Sequence, residues 1–267
     1  MNLLLSAIQW ILDPARWSPD NISPLPIGDR LIEHLIYTGA TVGIAALIAL
    51  PLGFYIGHTG KGRQFVIAFT GGMRALPTLG LLYFLTMVFG YSLSSTPANL
   101  VGSIIALVVL AIPSMLAGAY AGLESVSRET VDAARATGMT EMQILAKVEI
   151  PLALPLIIGG VRASVLQVIA TATIASYVGL GGLGRIISSG IGLNDYDRIL
   201  GGALLVTALA LVIDGVIAAV QRATRVPGVT PTSARRLRAR RAEPQRTEPQ
   251  RTAPQRIPAP ASAPRER

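Results

Sequence analysis

Five stretches of this chain are apolar over about the length an α-helix needs to cross a bilayer, roughly 20 residues for a hydrocarbon core of about 30 Å. They fall near residues 36–57, 64–89, 100–122, 152–178 and 199–220. In lipid each must satisfy its own backbone hydrogen bonds, which restricts it to a helix. The alternative is a set of buried core helices in a soluble protein. Five such runs leave too little polar surface for that. Only 14% of the residues are charged and mean hydropathy is +0.53, whereas soluble domains carry about 25% charge. The expected fold is an all-α integral membrane protein with about five transmembrane helices.

Residues 3–12 are apolar but only about half a span long. No Lys or Arg precedes them, and Asp13, Pro14, Arg16, Trp17 and Pro19 come next, where a signal peptide would carry small residues. Trp10 and Trp17 suit headgroup depth. Residues 1–30 are therefore expected to be an extracytoplasmic or interfacial segment, 31–221 a transmembrane domain with a polar loop at 123–151, and 222–267 a tail.

The net charge of +8 suggests nucleic acid until it is divided by position. Residues 1–221 hold 11 Lys+Arg against 12 Asp+Glu, and residues 222–267 hold 12 against 3. The excess sits in a Pro/Arg-rich tail that repeats Glu-Pro-Gln-Arg-Thr at 243–247 and 248–252. Such a segment buries little and is expected to be a disordered, solvated tail that helps fix topology, with contact between its arginines and anionic membrane lipid as the alternative and no nucleic acid as partner. There is no cysteine, which excludes disulfides, thiolate metal sites and Cys nucleophiles. His34 and His58 have no ligand-spaced companions and read as surface histidines, with no metal expected.

Positive charge is retained on the cytoplasmic side. Lys61, Arg63, Arg128, Arg135 and Lys147 fall in one set of connections; Arg16, Arg30, Arg185 and Arg198 fall in the other. Arg222 and Arg225 directly after the last run tip the balance, placing the N-terminus outside and the C-terminus in the cytoplasm.

Residues 123–151 form the longest polar connection of the body, and their composition is helical. Glu129 and Asp132 suit the positive end of a first helix, Gly138 after Thr137 suits its C-terminal cap, and a second helix near 141–149 is expected to end at Pro151. The spacing Asp132-Ala133-Ala134, Gly138, Val148, Ile150-Pro151 resembles the "EAA" loop of bacterial ABC importer permeases, with Asp for Glu, Val for Ile and Ile for Leu. The resemblance implies that this hairpin docks into a cytosolic ABC ATPase, with Glu129, Asp132, Ala133, Ala134, Gly138, Val148, Ile150 and Pro151 as the coupling residues. Residues 160–165, 170–175 and 179–184, with Arg74 to Leu82, are similar to the permeases that import quaternary-ammonium osmoprotectants such as glycine betaine, choline and carnitine. This likeness implies a transport subunit rather than an enzyme, in a bacterial inner membrane. ATP and Mg²⁺ would be held by the partner ATPase, and no cofactor by this chain. A second permease copy, identical or homologous, and a separate extracytoplasmic binding protein would complete the assembly. A permease for amino acids or methionine-like substrates is the alternative, and behind it an ion-coupled secondary transporter, for which Asp214 alone offers a mid-membrane acid.

Two motifs mislead. Gly179-x-Gly181-x-x-Gly184 matches a dinucleotide fingerprint but comes after a membrane-length run instead of a soluble βαβ unit; a tight turn is expected there. Residues 57–62 lack the spacing and the Ser/Thr of a phosphate loop.

Charges inside the runs remain. Arg74, Arg162 and Asp214 lie within about one helical turn of a common depth, and Asp214 is expected to pair with Arg162 or, second, with Arg74. On the fourth run Arg162, Thr173, Ser176 and Tyr177 share one face and Ser164, Gln167 and Thr171 another. One lines the pathway and the other packs, and sequence alone leaves the choice open. Pro77 and Tyr83 complete the pathway candidates.

Overall fold

A computed structural model describes residues 3–18, 25–92 and 97–224. The basic tail is expected to be disordered from residue 222, but the last helix continues through Ala223 and is capped at Thr224; the residues from Arg225 onward lie outside the described ones. Among the described residues the chain is helical, with no strand. The helices are α1 (Leu3–Leu12), α2 (Ile27–Thr59), α3 (Arg63–Arg74), α4 (Thr78–Ser92), α5 (Pro97–Glu124), α6 (Arg128–Ala136), α7 (Glu141–Ile144), α8 (Ile150–Ala175), α9 (Gly184–Leu193) and α10 (Tyr196–Ala223). Among the described residues four helices are long and apolar enough to cross a membrane, and α3 with α4 makes a fifth if that bent pair counts as one span.

The bend is a correction. The run near 64–89 reads as one straight helix, but its halves meet at 91°. Pro77 has no N–H to donate, so the helix stops before it, and the Pro77 carbonyl instead accepts from the Leu81 N–H to open α4. α2 is also longer than expected: it begins at Ile27, inside the segment assigned to the N-terminal region. Its 33 residues span about 50 Å at 1.5 Å each, longer than a hydrocarbon core of about 30 Å.

α5 is the centre of the bundle, with α2, α4 and α8 packed around it. Lipid gives helices no hydrophobic reason to associate, so close packing must hold them. Small residues permit it. At the α5–α8 crossing a Cβ on Gly118 would lie 2.5 Å from the Gly160 Cα, and one on Gly160 2.7 Å from the Gly118 Cα. Ala45, Ala49, Ala111, Met115, Leu116 and Val168 fill the core beside this crossing. Side-chain bonds reinforce it: Ser164 donates to the Ala111 carbonyl at 3.1 Å, Gln167 donates to the Leu110 carbonyl at 3.0 Å and accepts from Ser114 at 2.9 Å.

α10 stands at the edge. It meets α8 through Gln221, which donates to the Pro155 carbonyl at 2.7 Å, while Leu211, Val212 and Val216 stay exposed. α1 packs against α10: Ser6 donates to Asp197 at 2.5 Å, and a Cβ on Gly201 would meet the Trp10 ring at 2.8 Å.

Candidate functional site

Three polar sites interrupt the apolar bundle, one at each end and one midway. The first is the hairpin 125–149. Ser127 caps α6 by accepting from the Thr130 N–H at 3.3 Å. Gly138 at φ +87° ends it, the Met139 N–H bonding back to the Ala134 carbonyl and the Gly138 N–H to Arg135. This paired closure needs a left-handed residue, which glycine adopts without steric cost. Thr140 and Gln143 then form a reciprocal capping box at the start of α7. The second arm does not end at Pro151. It runs through a π-helical turn, Leu145–Glu149, straight into α8, where Pro151 is the second residue.

Two residues hold the hairpin in place. Arg135 reaches across to Glu141 at 2.7 and 3.0 Å and back to Asp132 at 2.7 Å, tying one arm to the other. The Glu141 carboxyl is held below its usual range by the hydrogen bonds from Arg135 and by that charge, with His58 contributing. His58, at the end of α2, is not a surface histidine: Nδ1 meets Glu149 at 2.5 Å and Nε2 meets Glu141 at 3.3 Å. Arg63 pairs with Glu124 at 3.0 Å beside it. Val131 and Ile144 are buried beneath the arms, whereas Glu129, Asp132, Ala133 and Gly138 are exposed. Ala134, Val148 and Ile150 are half-buried, and Pro151 is exposed.

The opposite end carries the turn 179–183. Gly179 at φ +95° and Gly182 at φ +74° fold it onto α2, where the Gly182 N–H donates to the Glu33 carboxylate at 2.8 Å. Arg30 holds the same Glu33 oxygen at 2.8 Å. His34 lies directly beneath and is fully buried, its Nε2 at 3.2 Å from the Ile169 carbonyl. The surface assignment of both histidines fails for one reason: α2 packs along its whole length, so each ring is covered by whatever crosses that end.

At mid-span Arg162 of α8 and Asp214 of α10 form a bidentate ion pair, Nε to Oδ1 at 2.5 Å and Nη2 to Oδ2 at 2.6 Å. Arg74 closes α3, but its side chain lies outside the described residues. Of the other pathway candidates, Pro77 sits at the α3–α4 bend and Tyr83 and Tyr177 are about half exposed. Thr173 is half-buried and donates to the Ile169 carbonyl. Ser176 is buried, donating to the Thr173 carbonyl, so it does not share the open face of Arg162. That face, with Ala163 and Ala170, is separate from the Ser164 and Gln167 stripe packed on α5.

Residues 49–226 match the family model described as the binding-protein-dependent transport system inner membrane component. The chain belongs to this family. As a binding-protein-dependent inner membrane component it is a multi-pass protein of the inner membrane. It is 36% identical over 190 residues, 71% of this chain and 84% of the relative, to the glycine betaine/carnitine/choline transport system permease protein OpuCB of Bacillus subtilis. It is 34% identical over 209 residues, 78% and 91%, to the choline transport system permease protein OpuBB of the same organism. Among solved structures the inward-facing MetNI methionine ABC transporter aligns with a TM-score of 0.64 at 24% identity, covering 73% of this chain and 94% of that one. This last match bears on the fold alone.

Sequence reasoning missed His58, Glu149, Glu141 and the Glu33–Gly182 clamp. Their signal is available in outline, since charge counting assigns the end of the first span and the hairpin to one side of the membrane, and polar groups sharing a side can meet.

Proposed function

We propose that this chain is the membrane permease subunit of an ATP-driven ABC importer for quaternary-ammonium osmoprotectants: glycine betaine, choline and carnitine. It works as one of two permease copies, with its N-terminus outside and its C-terminus in the cytoplasm. A cytosolic ATPase holding ATP and Mg²⁺ engages the 125–149 hairpin, and an extracytoplasmic binding protein delivers substrate to the opposite end. The substrate class is carried over from the osmoprotectant permeases that this chain matches at 30–36% identity. The observation that carries the mechanism is the hairpin itself. Its exposed face is small and acidic, at Glu129, Asp132 and Ala133, while its inner side is fixed by Arg135 and by the His58 contacts to Glu141 and Glu149. A loop braced in this way transmits a push to α2 and, through the unbroken Glu141–Val178 segment, to α8. ATP-driven closure of the ATPase then moves these helices together and exchanges inward for outward access.

The test is uptake of radiolabelled glycine betaine, carnitine and choline into vesicles holding the chain, its ATPase, its binding protein and any second permease, beside Ala133→Arg. Ala133 is exposed, so the variant leaves the bundle intact and obstructs docking alone. ATP-dependent uptake that collapses in the variant, with membrane insertion unchanged, is the expected outcome. Uptake indifferent to both ATP and the variant overturns the ABC reading.

A further inference from the structure

Helix packing does not explain why Arg162 and Asp214 meet at mid-span. Arg162 and Asp214 are 32% and 27% exposed and line a groove of about 710 Å³ between α8 and α10. An ion pair open to hydrocarbon is costly, so charged groups at this depth face water, protein or a polar ligand. The rest of the wall is apolar apart from Thr207: Leu166, Ile169, Val206 and Leu211 give it bulk, and Gly159, Ala163, Ala170 and Ala210 leave the space open.

We propose that this groove is a binding site within the membrane for zwitterions that join a carboxylate to a quaternary ammonium, as glycine betaine and carnitine do, and that it disfavours choline, which carries the cation alone. The inference rests on the osmoprotectant reading above. Asp214 occupies the Nε–Nη2 edge of the guanidinium, and Nη1 remains to donate to a ligand carboxylate, the planar anion a guanidinium fits best. The partly exposed Asp214 carboxylate faces the trimethylammonium group, whose methyls rest on the alanine wall. A quaternary ammonium has no N–H with which to replace Arg162 at Asp214, so the protein pair persists when ligand binds. A zwitterion adds no net charge at mid-membrane and neutralises both poles of the pair. A lone cation gains from Asp214 but meets the like charge of Arg162 about as closely.

The chain has no cysteine, so Ala210→Cys supplies a single thiol on the groove wall. In vesicles holding the full assembly, a small charged methanethiosulfonate is expected to label it, and saturating glycine betaine is expected to slow labelling about tenfold while equal choline does not, a factor that corresponds to about 1.4 kcal/mol of selectivity. No labelling with or without ligand assigns the groove to lipid or to a second copy and overturns the proposal; equal protection by both compounds overturns it as well. A second measurement uses the uncharged pair Arg162→Gln with Asp214→Asn, which leaves neither charge stranded. Its ratio of glycine betaine to choline uptake is expected to fall about tenfold by the same constant. An unmoved ratio overturns the zwitterion site and leaves the osmoprotectant reading standing. A parental assembly that carries none of these compounds overturns that reading itself.

Discussion

Two adjacent glycines of α8 make opposite predictions. A Cβ at Gly160 would lie 2.7 Å from the Gly118 Cα, 3.1 Å from the Ser114 carbonyl oxygen and 3.3 Å from the Gly118 nitrogen. All three are backbone atoms and cannot rotate away. Comfortable carbon contacts lie at about 3.5–4.0 Å, so α5 and α8 must part by about 1 Å, a gap that forfeits up to about half of the dispersion well at each atom pair. Forcing one extra methyl into packing this tight costs about 1–3 kcal/mol. At Gly159 the nearest atom is Gln221 Nε2 at 3.6 Å, an ordinary contact, and alanine there gains about 0.5–1 kcal/mol from reduced backbone freedom in the helix. Gly160→Ala and Gly159→Ala are therefore expected to differ by about 1.5–4 kcal/mol, roughly tenfold to several hundredfold in the unfolding equilibrium. Unfolding of the purified chain by SDS in mixed micelles, monitored by circular dichroism, measures the difference. Equal midpoints for the two variants would refute the close α5–α8 approach as what holds the bundle.

Other perturbations address the two ends. His58→Ala strands the Glu149 carboxylate, whose side chain is 6% exposed, at a cost of about 1–3 kcal/mol for a buried group left unpaired; faster amide exchange across 141–149 is the readout, and unchanged protection would show that His58 does not brace the hairpin. The Glu141 carboxyl is lowered by Arg135, so the pair contributes order that is full above the ordinary carboxylate value of about 4.3 and is lost as pH falls through the lowered one. Protection of the hairpin amides, taken relative to their intrinsic exchange at each pH, is thus expected to fall only on acidification below that range, with Arg135→Gln already poorly protected at neutral pH and flat across the window. Glu33→Ala removes the acceptor for the Gly182 N–H; limited proteolysis between 179 and 184 is expected to speed up, whereas Asp29→Ala, at the exposed start of the same helix, leaves it unchanged.

Apolar run length and hairpin chemistry were legible without coordinates, because both are local. A run of about 20 apolar residues has only one way to satisfy its backbone in lipid, and the left-handed turn at Gly138 comes from the residue itself. The bend at Pro77 was locally encoded too, yet the apolar run hid it, since proline is tolerated inside membrane helices: Pro51, Pro113 and Pro155 all lie within continuous ones. What proline does depends on what neighbouring helices supply, and that is tertiary information.

The sequence by itself determined that the chain is helical and lies in the membrane, and that its longest polar connection folds as a helical hairpin, since those properties depend on composition and on contacts within a few residues. A common depth already favoured Asp214 with Arg162 over Arg74; only the tertiary structure brought His58 to Glu149 and Glu33 to Gly182 and decided which face of α8 remains open. Arg162 and Asp214 are 52 residues apart, His58 and Glu149 are 91 apart, and Glu33 and Gly182 are 149 apart. Helical periodicity fixes where a side chain points around its own axis but not which helix stands opposite. That choice came from glycine contacts such as Gly118 on Gly160, which set how closely the helices approach and so which polar groups are brought within hydrogen-bonding distance.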